Sequence, residues 1–322
     1  MSDVPKPPAE LPTPSSEELW QMFEALKNWG RWGPDDERGA LNHLTPSHRS
    51  AAAALVRDGV ALSLAHALPL LPSADTPIPA LHHMLAAGDA RDASGIPGYE
   101  ASRDWIGMPV HGLGITHVDA LCHIFVRGQM YNGVPASEVR SDGARRNTLK
   151  TLSDGVVGRG VLVDLPAARG AEFLEPGEPA GVAELEAAES AQGVSVGPGD
   201  VLLVSTGRDA RRRALGGTLD PGADGLAGLH PECLPWLQER RIAVLGSDGI
   251  SDPMPGLGVG EWPFPVHQIG IAAMGLHLID NLDLGPLLRE CASRGHWAFL
   301  FSLAPLRIEG GTGCPVNPLA VL

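Results

Sequence analysis

The 322-residue sequence predicts an α/β fold in which helices pack on a mixed β-sheet. Three observations support this. Short β-branched runs alternate along the chain with stretches of helical periodicity. Apolar residues make up 43% and charged residues 19%, enough for a sizeable core. No internal repeat and no linker-like segment interrupts the pattern, so residues 15–322 are expected to form one domain behind a flexible proline-rich arm, residues 1–14.

The elements follow in order. Ser15 and Glu18 have the spacing of a capping box, and the helix they open should bury Leu19, Met22, Phe23 and Leu26. Thr45-Pro46 pairs a cap with proline at the first helical position and predicts a helix to about Arg57. Val60–Leu64 reads as a strand, and His82-His83 falls in a loop-like stretch. Val161–Leu165 is a buried strand, Val182–Gln192 a helix, and Val201–Ser205 a strand entered through the turn Gly197–Asp200. Pro231–Arg240 should be helical and Ile242–Leu245 a strand. Ile269–Met274 and Leu284–Ser293 are read as helices and Trp297–Leu303 as a strand. The apolar tail Pro318–Leu322 is expected against a partner subunit, and Arg211-Arg212-Arg213 in a solvated loop.

Composition narrows the function. A net charge of −14 with no concentrated basic patch argues against nucleic acid. No apolar run approaches the roughly 20 residues of a membrane span. The four cysteines form no CxxC pair, which argues against a disulfide framework or zinc knuckle. No secretory leader is visible, so the expectation is a soluble, cytoplasmic protein. The glycine pairs at 216–217 and 310–311 lack the lysine of a phosphate loop.

Ligand-type residues concentrate between His111 and His123, where His111, His117, Asp119 and His123 all have odd numbers. In an extended segment odd positions share a face, so His117 and Asp119 should project together. Imidazole nitrogen with carboxylate oxygen is a donor set for zinc or manganese. A straight strand would put His111 about 20 Å from His117 at about 3.3 Å per residue. Both reach one ion only if Gly112 and Gly114 bend the chain. Spacing alone also allows separate polar residues at a strand edge. Cys122 has even parity and should point away. His267 is a candidate ligand or proton carrier from outside the cluster. His230, His82 and His83 are candidates for lining a substrate pocket, and Asp248 closes a strand where sites often form.

The segment resembles the signature His-x-Gly-Thr-His-x-Asp-x-Pro-x-His of the putative cyclase family, which includes bacterial kynurenine formamidases and isatin hydrolases. Thr116, His117, Asp119 and His123 fall on its Thr, second His, Asp and last His. Further blocks are similar in the same order: Trp32–Asp36 with Gly39–Pro46, Asp200–Gly207, His267 with Leu278–Leu284, and Gly310–Pro318. Three positions depart. Leu113 stands where the first histidine belongs, with His111 two residues earlier; Leu121 replaces the proline; Asp280 stands where kynurenine formamidases carry glutamate, which favours one ion over two.

The resemblance implies a swivelling β/β/α cyclase-like fold and a metal-dependent hydrolase. His117, Asp119, His111 and Asp280 would be its ligands, His123 and His267 its proton-transfer groups, and Thr116 a substrate contact. The expected substrate is a small cyclic or aromatic molecule opened at an amide or lactone bond, in a homodimer or homotetramer. Ring closure by a cyclase or dehydratase, or metal or ligand binding without catalysis, are the alternatives.

Overall fold

The computed structural model describes residues 11–89 and 96–322. Most of the expected arm, residues 1–10, lies outside them; residues 11–15 run without regular structure into the first helix.

In chain order the elements are α1 (Ser16–Ala25), α2 (Pro46–Ala53), β1 (Ala61–Ser63), β2 (Leu81–Ala86), β3 (Arg103–Gly107), β4 (His117–Asp119), β5 (Val139–Arg140), β6 (Gly143–Ala144) and β7 (Val156–Asp164). They continue with α3 (Leu165–Arg169), α4 (Val182–Gln192), β8 (Val201–Ser205), α5 (Arg208–Ala214), α6 (Cys233–Arg240), β9 (Val244–Ser247) and α7 (Pro265–Ile269). The last are β10 (His277–Asp280), α8 (Gly285–Arg294), β11 (Ala298–Leu303), β12 (Gly313–Pro315) and β13 (Leu319–Val321).

The central sheet has the order β1-β13-β11-β7-β8-β9-β10-β4-β12. Strands β7 to β10 form a parallel block, and antiparallel strands flank it on both sides. Parallel strands covered on both faces read as unbroken apolar runs, and β8 is buried at every position. Successive side chains supply opposite cores: Val161, Val163, Leu202 and Val204 pack into one, with α1, α4 and α6. Leu162, Val201 and Leu203 pack into the other, with Phe299 and Phe301 of β11. Fully burying one such side chain stabilises the fold by about 1.5–3 kcal/mol.

The cap of α1 forms as its spacing predicts, with Glu18 N–H donating to Ser15 Oγ at 3.2 Å and Ser15 N–H to the Glu18 carboxylate at 2.7 Å. Several boundaries differ from the sequence reading. Helix α2 stops at Ala53 rather than near Arg57, because the Asp58 and Gly59 N–H groups donate to Leu322 O and draw the chain into the sheet. Strand β7 begins five residues before Val161; its glycines hid the pattern, and a Cβ on Gly160 would lie 2.2 Å from the Phe299 ring. Strand β9 starts at Val244 and runs to Ser247, and Gly270–Met274 is a π-helical turn behind α7.

Two further readings are corrected. The tail around Ala320 is β13, paired between β1 and β11 of its own sheet rather than reserved for a partner. The arginine run is helical, because Arg211 donates to Asp224 O and Gly225 O while Arg212 pairs with Asp75 at 2.6 Å.

Candidate metal centre and active site

Strand β4 lies between β10 and β12, with His117 opposite Asp280 and Asp119 opposite Gly313. Directly opposed residues of an antiparallel pair share a face, so His117, Asp119 and Asp280 project to one side. The His117 Nδ1–H donates to Ile115 O at 2.8 Å, which leaves Nε2 as a free lone pair 3.5 Å from Asp119 Oδ1. Such a backbone partner is the usual way a ligating imidazole is oriented.

His111 arrives by a bent path. Its Nδ1 is 2.9 Å from Asp119 Oδ1, and its Nε2 meets Thr312 Oγ1 at 3.1 Å. Three loop carbonyls are captured to hold that bend. Asn281 Nδ2 donates to Gly112 O at 2.8 Å and to Ile115 O at 3.1 Å, and the buried Arg208 guanidinium donates to Leu113 O. Arg208 also donates to Asn281 Oδ1 at 2.6 Å and to Asp248 O at 3.2 Å, which locks the two clamps together. Behind the loop, a Cβ on Gly114 would fall 1.8 Å from Thr76 Oγ1, so only glycine allows the approach.

His123 reaches the site by a turn, not by strand parity. Strand β4 ends at Asp119, and His123 N–H donates back to Ala120 O at 3.0 Å. Its ring then stacks on that of His111 at 3.6 Å and 2°. His267, at the start of α7, completes the group. Its Nδ1 contacts Asp252 Oδ2 at 2.7 Å, and its Nε2 lies 3.3 Å from Asp280 Oδ2 and 3.7 Å from Asp119 Oδ2. Asp252 is bound to the helix start as well, accepting from the Val266 and His267 N–H groups at 2.7 and 2.9 Å.

The electrostatics suit a cation. Asp119 is 1% exposed, yet neither of its oxygens has a hydrogen-bond partner, and His111 Nδ1 and Asp280 Oδ1 also lack one. An isolated buried carboxylate is costly unless paired or bound to metal. The 2.9 Å approach of His111 Nδ1 to Asp119 Oδ1 lacks hydrogen-bond alignment. Burial alone would raise the Asp119 carboxyl, but His111, His123, His117 and His267 outweigh it and hold it well below the carboxylate range. His267 is pushed well above the ordinary histidine value, because Asp280 and Asp252 overcome the opposing effect of burial. Burial brings His123 down to about 4, with Asp119 opposing only in part, so its ring is neutral near pH 7. His123 is therefore not the near-neutral titrating group that an unperturbed histidine would be.

Two overlapping groups have the donors and spacing for an ion: His111, His117 and Asp119, and Asp119, His267 and Asp280. The opening above them encloses about 360 Å³. Ile124, Phe125, Ile250, Pro263 and Phe264 wall it, and neither lysine nor arginine lines it.

Other candidates are placed elsewhere. His82 and His83 belong to the β2–β3 hairpin rather than a loop; His82 pairs with Asp104 at 2.8 Å and His83 stacks on Trp105, and neither lines the opening. His230 is buried with Nδ1 accepting from Glu232 N–H at 3.3 Å, and it does not line the opening. Thr116 donates to Asn281 O at 2.6 Å and so fastens β4 to the segment after β10 instead of facing the cleft. Cys122 packs into the core, as its parity suggests. Asp248 is a loop organiser, accepting from the N–H groups of Thr206, Gly207 and Arg208. Sequence reasoning missed Asp252, Arg208 and Asn281. Each acts on residues 13 or more positions away, where spacing carries no signal.

The family model described as "Putative cyclase" matches residues 60–252. A solved structure described as a novel cyclase superposes with a TM-score of 0.82 at 31% identity, covering 92% of this chain and 100% of that one. An isatin hydrolase bound to the product analogue thioisatinate superposes with a TM-score of 0.59 at 21% identity, covering 84% of this chain and 94% of that one, which speaks for the fold alone. Among curated proteins, the isatin hydrolase of Roseibium aggregatum is 31% identical over 144 residues, 44% of this chain. The match spans about half the length of that relative, 51%. With the family match covering the clustered histidines and the full-length superposition agreeing, the chain belongs to the putative cyclase family.

Proposed function

We propose that the protein is a metal-dependent hydrolase that opens an amide or lactone bond in a small, uncharged cyclic or aromatic molecule. The observation that carries this reading is Asp119, a buried carboxylate without hydrogen-bond partners, set among His111, His117 and His267. The name of the Roseibium relative supports it.

His111 Nδ1, His117 Nε2 and Asp119 would hold one zinc or manganese ion, with Asp280 facing them from β10. Such an ion lowers the pKa of water towards neutrality and polarises a carbonyl. The neutral His123 ring accepts a proton beside the ligands, and its stack on His111 fixes its plane. His267 holds a proton between Asp252 and Asp280, placed to deliver it to a leaving nitrogen or oxygen. The apolar wall favours a flat substrate, and neither lysine nor arginine lines the opening.

The test is elemental analysis of the purified protein joined to pH-stat assays on isatins, formanilides and simple lactones. The expected result is about one catalytic equivalent of divalent metal and acid release from a ring-opened panel member. Protein that binds no divalent metal, and gains no activity when it is added, would remove the hydrolase reading.

We also read the protein as a homo-oligomer. Large exposed apolar side chains concentrate between Leu68 and Ile106, including Leu71, Leu85 and Trp105, and light scattering of the purified chain tests this. No described helix is long and apolar enough to cross a membrane.

A further inference from the structure

A second set of metal-binding side chains converges outside this centre. His66 follows β1, Asp209 lies in the first turn of α5, and Asp283 follows β10. Their ligand atoms lie within 4.8 Å of one another, and His66 Nε2 is 3.7 Å from Asp209 Oδ2. The backbone fixes the convergence: Ala65 bridges to Leu282, Asp283 N–H donates to Leu64 O at 2.9 Å, and His66 N–H donates to Thr116 Oγ1 at 3.3 Å.

Neither Asp209 nor Asp283 forms an ion pair with lysine or arginine among the described residues. Two carboxylates and an imidazole held this close offer two oxygen donors and one nitrogen donor to a common point. Both aspartates line a cleft of about 860 Å³ together with Asp164 and Ser205, the last residues of β7 and β8. Crevices at the carboxyl ends of parallel strands are where open α/β sheets bind ligands. The His66 and Asp209 side chains are 28% and 29% exposed, so an ion can enter and keep part of its water shell.

We propose that His66, Asp209 and Asp283 form a second divalent-cation site, separate from the Asp119 centre, that takes zinc or manganese through one nitrogen and two oxygen donors. Bonds of about 2.0–2.2 Å require the three ligand atoms to draw together by about 1 Å, within reach of rotations in half-exposed side chains. An ion there ties the exits of β1 and β10 to α5. Its role is structural, because none of the three residues lines the opening above Asp119.

The experiment is calorimetric titration of chelator-stripped, full-length protein with Zn²⁺ and, separately, Mn²⁺. Wild type is expected to bind two equivalents. His66→Ala and Asp283→Asn should each lose one, with affinity for the lost ion down at least tenfold, and Asp209→Asn provides an independent third removal. The double variant His117→Ala/Asp119→Asn should keep one equivalent, and adding His66→Ala should abolish it. Melting of the metal-free variants at the wild-type temperature shows that the loss is local. Wild type saturating at one equivalent, with none left in the His117/Asp119 variant, overturns the second site while leaving the hydrolase reading intact. Two equivalents in wild type that persist in His66→Ala and Asp283→Asn also overturn the second site. Two equivalents of which those variants lose one, without turnover of any substrate, instead overturn the hydrolase reading and leave the second site standing.

Discussion

Two of the protein's histidine–aspartate pairs stand in direct contrast. In the β2–β3 hairpin His82 Nε2 lies 2.8 Å from Asp104 Oδ2, with side chains 38% and 62% exposed. Beside strand β4 His111 Nδ1 lies 2.9 Å from Asp119 Oδ1, with side chains 27% and 1% exposed. The first is a finished surface contact, hydrogen-bonded and solvated, of the kind worth about 0–1 kcal/mol. The second is unfinished: the carboxylate is dry and the atoms are close without bonding each other. Distance does not separate the two pairs. Burial and the missing partner do.

Removing the carboxylate should have the largest effect. Asp119→Asn should lower metal affinity by more than the about 10- to 100-fold typical of residues behind the ligands, read by competition with a chromophoric chelator. His111→Ala should do the same while Leu113→Ala retains the ion; equal retention in both would show that His111 is not a ligand. His123→Ala should keep the metal but lose turnover by a factor on the order of 10² to 10⁴. Near-normal rates would transfer the proton-accepting role to His267. Arg208→Lys and Asn281→Ala, which free the loop carbonyls, should cost about 10- to 100-fold in metal affinity, with Lys less damaging than Ala at position 208.

A smaller effect comes from histidines kept neutral in the fold. Burial brings His43 and His277 down to about 4. The unfolded chain protonates them near 6.5, so it takes up protons first as pH falls. Metal-free protein should therefore lose stability to urea between about pH 6.5 and 4, and His43→Gln should flatten that slope. An unchanged slope would assign the acid sensitivity elsewhere. Last, His82→Ala should leave metal binding and turnover unchanged and stability within about 0.5 kcal/mol; a loss of metal there would break the contrast between the two pairs.

Legibility in the sequence followed the range of the forces involved. Helix α4 spans the residues its pattern indicates, since Glu184 caps the Gly181 N–H at 2.8 Å and Gly193 ends it in the left-handed region. Strand β8 was readable because a doubly covered strand must be apolar throughout. His117 and Asp119 share a face as alternation requires, but His111 and His123 join them through bends that alternation cannot describe. Asp252, Arg208 and Asn281 left no trace, because their partners are chosen by the folded sheet. The histidines of the hairpin misled for the converse reason: composition marks a residue as able to line a substrate pocket, not as placed beside one.

Strand β4 has three residues, and its ladder partners are β10 and β12. The His111 ring in turn leans on Thr312. The ligands thus wait for segments some 160 to 200 residues downstream, and closing such long loops is slow and entropically costly. While the chain is being synthesised, His111, His117 and Asp119 emerge early but have nothing to set their spacing. Under the proposed function, an ion taken by these residues would be selected only once the sheet has closed around them.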